Sequence, residues 1–97
     1  MMGIPELVAE RRTDILRIAA KHGVQRIRVF GSVARGDAGP TSDVDFLIEV
    51  GPQHSAFFPG GLTADLEALL GRHVDVVEVE GLYEPLRAVV LKEAVPL

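Results

Sequence analysis

The sequence predicts an α/β (α+β) fold: a single domain over residues 1–97, with a short mixed sheet of about three strands flanked by helices. Three observations carry this. Apolar residues recur at helical spacing near the N-terminus, three short β-branched runs alternate along the chain, and helical stretches separate the later runs. The order is helix, strand, strand, helix, strand, helix, with no repeat and no low-complexity linker.

Residues Pro5 to His22 read as one helix. Ile4, Leu7, Val8, Ile15, Ile18 and Ala19 fall on one side, with Arg11, Arg12 and Arg17 to the flanks. Pro5 suits a first turn, and Gly23 suits the position just past the end. Lys21 and His22 complement the negative end of the helix dipole. Gln25 to Phe30 is a strand, closed by Gly31 and Ser32, and Ser32 is placed to N-cap a short helix over Val33–Arg35. Gly36 to Ser42 is turn chemistry throughout. Asp43 to Val50 alternates strictly: Val44, Phe46, Ile48 and Val50 share one face, and Asp43, Asp45, Leu47 and Glu49 the other. A loop over Gly51–Gly61 leads to a helix over Leu62–Leu70, with Thr63 as an alternative cap. His73 to Val79 is the third strand, Gly81 to Tyr83 a turn, and Pro85 to Ala94 a final helix with Leu86, Val89 and Val90 on one side.

Composition sets outer limits. Hydrophobic residues make up 47% and charged residues 25% of the 97, ordinary for a globular chain of one modest core. The mean hydropathy of +0.24 is on the apolar side for so small a protein and implies a partner interface. A net charge of −4 argues against a sequence-independent grip on nucleic acid, which needs Lys and Arg to displace counterions. The absence of cysteine excludes disulfides and thiolate metal sites. No apolar run approaches the roughly 20 residues that span a bilayer, and the N-terminus lacks the apolar stretch of a signal peptide, so a cytoplasmic location is expected.

The chemistry-bearing residues lie around the second strand. Side chains two apart on a strand point to one face, roughly 6–7 Å apart, so Asp43 and Asp45 aim at one small volume. Divalent cations would compensate two such carboxylates, since Mg²⁺ is commonly held by carboxylates together with phosphate oxygens. Two ions about 3.5–4 Å apart can clamp the attacking and leaving oxygens of a phosphoryl displacement. Asp75, a single acid between Val74 and Val76, joins the pair if its strand lies beside the second. It would then hold an ion or take the nucleophile's proton. Gly31 and Ser32 supply the phosphate end: glycine permits close backbone approach, and a hydroxyl with helix-start amides favours an anion. No Lys follows a glycine-rich loop, so this is not a P-loop, and no EF-hand glycine follows Asp45.

The run Gly31-Ser32, ten residues, then Asp43-Val44-Asp45 resembles the DNA polymerase β-type nucleotidyltransferase superfamily. The fuller pattern of Gly31, Ser32, Ala34, Arg35, Gly36, Ser42, Asp43 and Asp45 resembles its minimal nucleotidyltransferase branch. The likeness extends from Ile4 to the terminal LKEAVPL, and the third family acid maps onto Asp75. The resemblance implies two Mg²⁺ ions on Asp43, Asp45 and Asp75, and a triphosphate, that of ATP, on Gly31 and Ser32. It also implies an antitoxin of a type VII pair that transfers AMP to a tyrosine of a helical HEPN RNase toxin. Neutralisation by contact alone, and transfer to a small molecule, are the alternatives.

Other residues have quieter expectations. Arg35 either touches phosphate or pairs with Asp37, which braces its loop. Glu49 meets solvent or a salt bridge. His22, His54 and His73 are scattered through the sequence and point to no zinc site. Phe57 and Phe58 pack on the core, or else form a lid or partner contact, and Tyr83, the only tyrosine, packs on the sheet.

Overall fold

The computed structural model describes residues 4–36, 38–39, 42–52 and 59–97. Asp37, His54, Phe57 and Phe58 lie outside them. The elements are α1 (Ile4–Glu10), α2 (Arg12–Lys21), β1 (Val24–Phe30), α3 (Ser32–Arg35), β2 (Val44–Val50), α4 (Gly60–Leu70), β3 (Val74–Glu78), a 3₁₀ turn (Val79–Gly81), α5 (Glu84–Glu93) and β4 (Val95–Pro96). The sheet has four strands, not three, in the order β3-β2-β1-β4. β1 runs antiparallel to β2 and to β4, whereas β2 and β3 are parallel.

The first helix is divided at Arg11 where the sequence pattern ran on. The break is shallow, because Arg11 N donates to Leu7 O at 3.0 Å and Ile15 N to Arg11 O at 2.9 Å. No glycine or proline stands there to announce it. Gly23 does follow α2, at φ 83°, the left-handed conformation expected of a helix-terminating glycine. Ser32 is the first helical residue of α3 and not its cap; that position belongs to Gly31. Thr63 likewise lies inside α4, its Oγ1 donating to Pro59 O at 3.1 Å.

The alternation of β2 carries through. Val44, Phe46 and Ile48 are fully buried with Ile15 and Ala19 of α2 and Leu62, Leu66 and Leu70 of α4. Leu47 points the other way and is also buried, so β2 is covered on both faces at its middle. Glu49 forms the expected ion pair, 2.8 Å from Arg28 Nη1. By contrast α5 buries no residue: Tyr83, Leu86 and Val89 are 75%, 49% and 62% exposed. Tyr83 therefore does not pack on the sheet, because it precedes a helix that stands away from the core.

His22, at the end of α2, is the one buried polar or charged residue among those described, and its Nε2 lies 2.8 Å from Asp65 Oδ2 on α4. Lys21 Nζ reaches the same oxygen at 3.4 Å. The hydrogen bond with His22 holds the Asp65 carboxyl below its ordinary range; burial opposes it, and Lys21 adds to the lowering. A depressed folded pKa means stability that is present above the unfolded value and lost as pH falls through the folded one. Asp65→Asn should therefore lower the melting temperature at pH 6–7, and the gap between variant and wild type should close as thermal melts are taken below about pH 4.

Candidate active site

Strand pairing assembles the acids. Asp45 of β2 lies level with Asp75 of the parallel strand β3, and on its other side with Phe30, the last residue of β1. Val44 is level with Val74, so one step back Asp43 faces His73. Val44 N donates to His73 O at 3.0 Å, which locks that register at the strand mouth. The result is two rungs, Asp45 with Asp75 and Asp43 with His73, at the same end of the sheet.

The first rung is a carboxyl pair. Burial raises the pKa of Asp45, the charge of Asp75 and a hydrogen bond with its side chain raise it further, Asp43 adds to this, and Arg35 opposes it. Two like charges at one partly buried point disfavour ionisation of both. In the second rung His73 Nδ1 lies 3.3 Å from Asp43 Oδ2. One ligand atom each from Asp43, His73 and Asp75 lie within 4.8 Å of one another, and all three residues are exposed.

The approach to Asp43 is held by its neighbours. Gly39 N donates to Ser42 Oγ at 2.8 Å, and Arg72 donates to Ser42 O from Nε and Nη2, both at 3.4 Å. Glu67 Oε2 accepts from Val74 N at 3.1 Å and ties the start of β3 to α4.

Gly31 stands between β1 and α3 at φ 71°, ψ −147°, a backbone region essentially reserved for glycine. A Cβ at that position would overlap Asp45 Oδ2 and lie 3.3 Å from its Cγ. Sequence reasoning gives this glycine to a phosphate; what the structure shows is room made for the Asp45 carboxylate. Ser32 follows at the start of α3, half-buried. Arg35 Nη1 lies 3.2 Å from Glu93 Oε1 of α5, and that carboxylate oxygen also accepts from Gly31 N at 3.1 Å. Asp43, Asp45, Asp75 and Gly31 are thus brought together, with Ser32 adjacent and Arg35 near enough for its charge to act on Asp45.

Two residues escaped the sequence. His73 looked like a scattered histidine, yet its spacing of two from Asp75 repeats that of Asp43 from Asp45. The β2–β3 register was needed to see the match. Glu93 lies 62 residues from Gly31 and carried no signal. A cleft of about 430 Å³ lined in part by Leu16, Ala20, Gln25 and Pro96 lies toward the other end of β1, away from the acids.

A family model for the nucleotidyltransferase domain matches residues 13–97. The chain belongs to the nucleotidyltransferase domain family. Its activity is of the nucleotidyltransferase type, and its fold is the minimal nucleotidyltransferase fold. The chain is 41% identical over 95 residues to the protein adenylyltransferase MntA of Thermococcus cleftensis, covering 98% of this chain and 96% of that protein. It is 39% identical over 88 residues to a Methanocaldococcus jannaschii protein provisionally assigned as a protein adenylyltransferase, covering 91% and 95%. A solved structure provisionally assigned as a minimal nucleotidyltransferase superposes with a TM-score of 0.86 at 44% identity, covering 96% and 95%. The toxin–antitoxin complex MntA–HepT shares the fold, with a TM-score of 0.67 at 18% identity over 91% of this nucleotidyltransferase and 69% of that chain.

Proposed function

We propose that this nucleotidyltransferase is the antitoxin of a HEPN/MNT pair and transfers AMP from ATP to a tyrosine hydroxyl of a HEPN RNase toxin. The observation that carries the reading is the convergence of Asp43, Asp45 and Asp75 at one strand end, beside a glycine turn shaped around Asp45. The relatives called protein adenylyltransferases, matched over nearly their whole length, support the same chemistry.

The donor set fits Mg²⁺. Its carboxylates offer hard oxygens, and one ligand atom each of Asp43 and Asp75, with one of His73, lie within 4.8 Å of one another. Asp43, Asp45 and Asp75 would hold two such ions, with His73 beside them. Bound there, Mg²⁺ supplies neutralisation of the phosphate charge and lowers the pKa of the attacking hydroxyl. The remaining work falls to the chain. Ser32 and Gly31 orient the triphosphate, and Arg35 faces its charge. Asp75 takes the proton of the acceptor hydroxyl as its oxygen attacks the α-phosphorus. An oxygen–phosphorus bond forms to AMP, and the bond to the β-phosphate breaks to release pyrophosphate.

The acceptor hydroxyl is presented by the partner. The uncovered Tyr83, Leu86 and Val89 on and beside α5 give an apolar surface for a helical toxin to dock. The site then stays in the cytoplasm with its RNase target, and the described helices include none long and apolar enough to cross a membrane.

Asp75→Asn separates the chemistry from the contact. The variant should still co-purify with the toxin, while label from ATP with Mg²⁺ no longer reaches the toxin tyrosine and the toxin regains its toxicity in cells. Full neutralisation by Asp75→Asn would overturn the reading in favour of an antitoxin that acts by contact alone. Adenylylation of a small molecule with no partner present would overturn both.

A further inference from the structure

Glu93 closes α5 and stands two residues before Val95, which pairs with Val29 of β1. Antiparallel register therefore brings Glu93 level with Gly31, two residues past Val29. Its side chain continues the ladder where the backbone of β4 does not: Oε1 accepts from Gly31 N at 3.1 Å and from Arg35 Nη1 at 3.2 Å. One carboxylate oxygen thus joins the two ends of the turn and short helix that carry Gly31, Ser32 and Arg35. Among the described residues Glu93 is the partner of Gly31 N, and Arg35 N donates back to Gly31 O at 3.0 Å, so the loop is fastened at its centre and at its rim.

As a stability device this is poor. The Arg35 and Glu93 side chains are 51% and 32% exposed, and ion pairs of that kind add little to folding. As a positioning device it is well placed. The glycine backbone must hold a conformation that avoids Asp45, and the Arg35 guanidinium is tied to the same carboxylate oxygen as the Gly31 amide.

We infer that Glu93 is a positioning residue of the nucleotide site: it holds the Gly31 turn and the Arg35 guanidinium in the arrangement that receives the triphosphate. The inference rests on the reading of Gly31, Ser32 and Arg35 as the phosphate-binding segment. It adds a residue from the opposite end of the chain, one on the helix whose outer face is uncovered.

The test is titration of the full chain with ATP in Mg²⁺, together with steady-state transfer to the toxin. Glu93→Ala should weaken ATP binding and raise the KM for ATP roughly tenfold, the size expected for a lost charge-assisted bond, with a smaller change in kcat. Glu93→Gln keeps an acceptor for Gly31 N and should recover part of the loss. In an Arg35→Ala background the Glu93→Ala effect should shrink, since part of it acts through that guanidinium. Arg12→Ala serves as the control: it removes the bond from Arg12 Nη2 to Leu97 O at 3.0 Å and loosens β4 from elsewhere, and it should lower stability without moving the KM. Amide exchange at Gly31 should quicken in Glu93→Ala with or without nucleotide.

Unchanged ATP affinity in Glu93→Ala would overturn the positioning role, as would an equal shift in Arg12→Ala. Tighter ATP binding would overturn it too, because Glu93 would then be competing with phosphate. If wild type itself binds no ATP, the phosphate reading of Gly31, Ser32 and Arg35 falls and the inference with it; wild-type binding with an unmoved Glu93→Ala faults Glu93 alone.

Discussion

Asp45→Asn is expected to abolish transfer and at the same time to raise the melting temperature of the ligand-free protein. Both effects come from one carboxylate. It is the most buried of the three acids, and burial, Asp75 and Asp43 all hold its pKa above the ordinary carboxylate range. A raised folded pKa means that the folded state binds this proton more tightly than the unfolded chain. Ionisation near neutral pH therefore works against folding, and that cost disappears as pH falls through the folded pKa. Asparagine removes the charge, keeps the shape and lifts the cost at neutral pH. Transfer should fall by roughly a hundredfold or more, since loss of groups that merely support metal ligands already costs about 10–100-fold. Asp43→Asn should match the loss of transfer with a smaller gain in stability, because Asp43 is exposed. Thermal melts with and without Mg²⁺ and ATP provide the check: wild type should gain stability from ligand, and Asp45→Asn should start higher and gain little. Full transfer by Asp45→Asn would remove it from the site.

Gly31→Ala is expected to damage both fold and activity, which distinguishes it from every other substitution considered. The backbone there is in a region that costs a non-glycine residue about 1–3 kcal/mol. The added methyl would also overlap Asp45 Oδ2, so the carboxyl must turn away from Asp75 or the turn must shift. Together these should lower the melting temperature by roughly 10 °C, taking about 4–8 °C per kcal/mol for a domain of this size. Activity should fall with Asp45 displaced. Gly36→Ala makes the comparison clean. Gly36 is also at positive φ, 80°, but nothing lies within 4 Å of its would-be Cβ. It should lose about 1 kcal/mol from the left-handed backbone alone and leave the acids in place. Equal activity losses in the two variants would show that the overlap with Asp45 is not what matters.

Much of this site was legible because it obeys period two. The alternation of Asp43 to Val50 put the two aspartates on one face and the core residues on the other, and burial of Val44, Phe46 and Ile48 follows that pattern. Asp75 was legible as an acid set between valines in a largely apolar strand. The structure adds the register that sets it beside Asp45. The same register was invisible in the sequence, which is why His73 passed as a stray histidine. β4 was missed because two residues, one of them proline, show no periodicity. The division at Arg11 was missed because its hydrogen bonds nearly continue across it. Tyr83 was misplaced because turn aromatics usually find a core, and here the helix that follows has none beneath it.

The parallel pairing of β2 with β3 also decides how the site is lost. Parallel neighbours cannot be joined by a tight turn, so the chain must close a crossover, residues 51–73, before Asp45 and Asp75 can meet. β1 and β2, with α2 packed on β1, share their contacts without that closure. β3 is an edge strand of five residues, fastened at its start by Val44 N and Glu67. Any local opening that detaches it dissolves the acid cluster while the β1–β2 pair keeps its ladder, and each such opening relieves the crowding of carboxylates. The acid-bearing edge of the sheet can therefore open while the β1–β2 pair holds, and a ligand that draws the acids together would act as a clasp on the closed crossover.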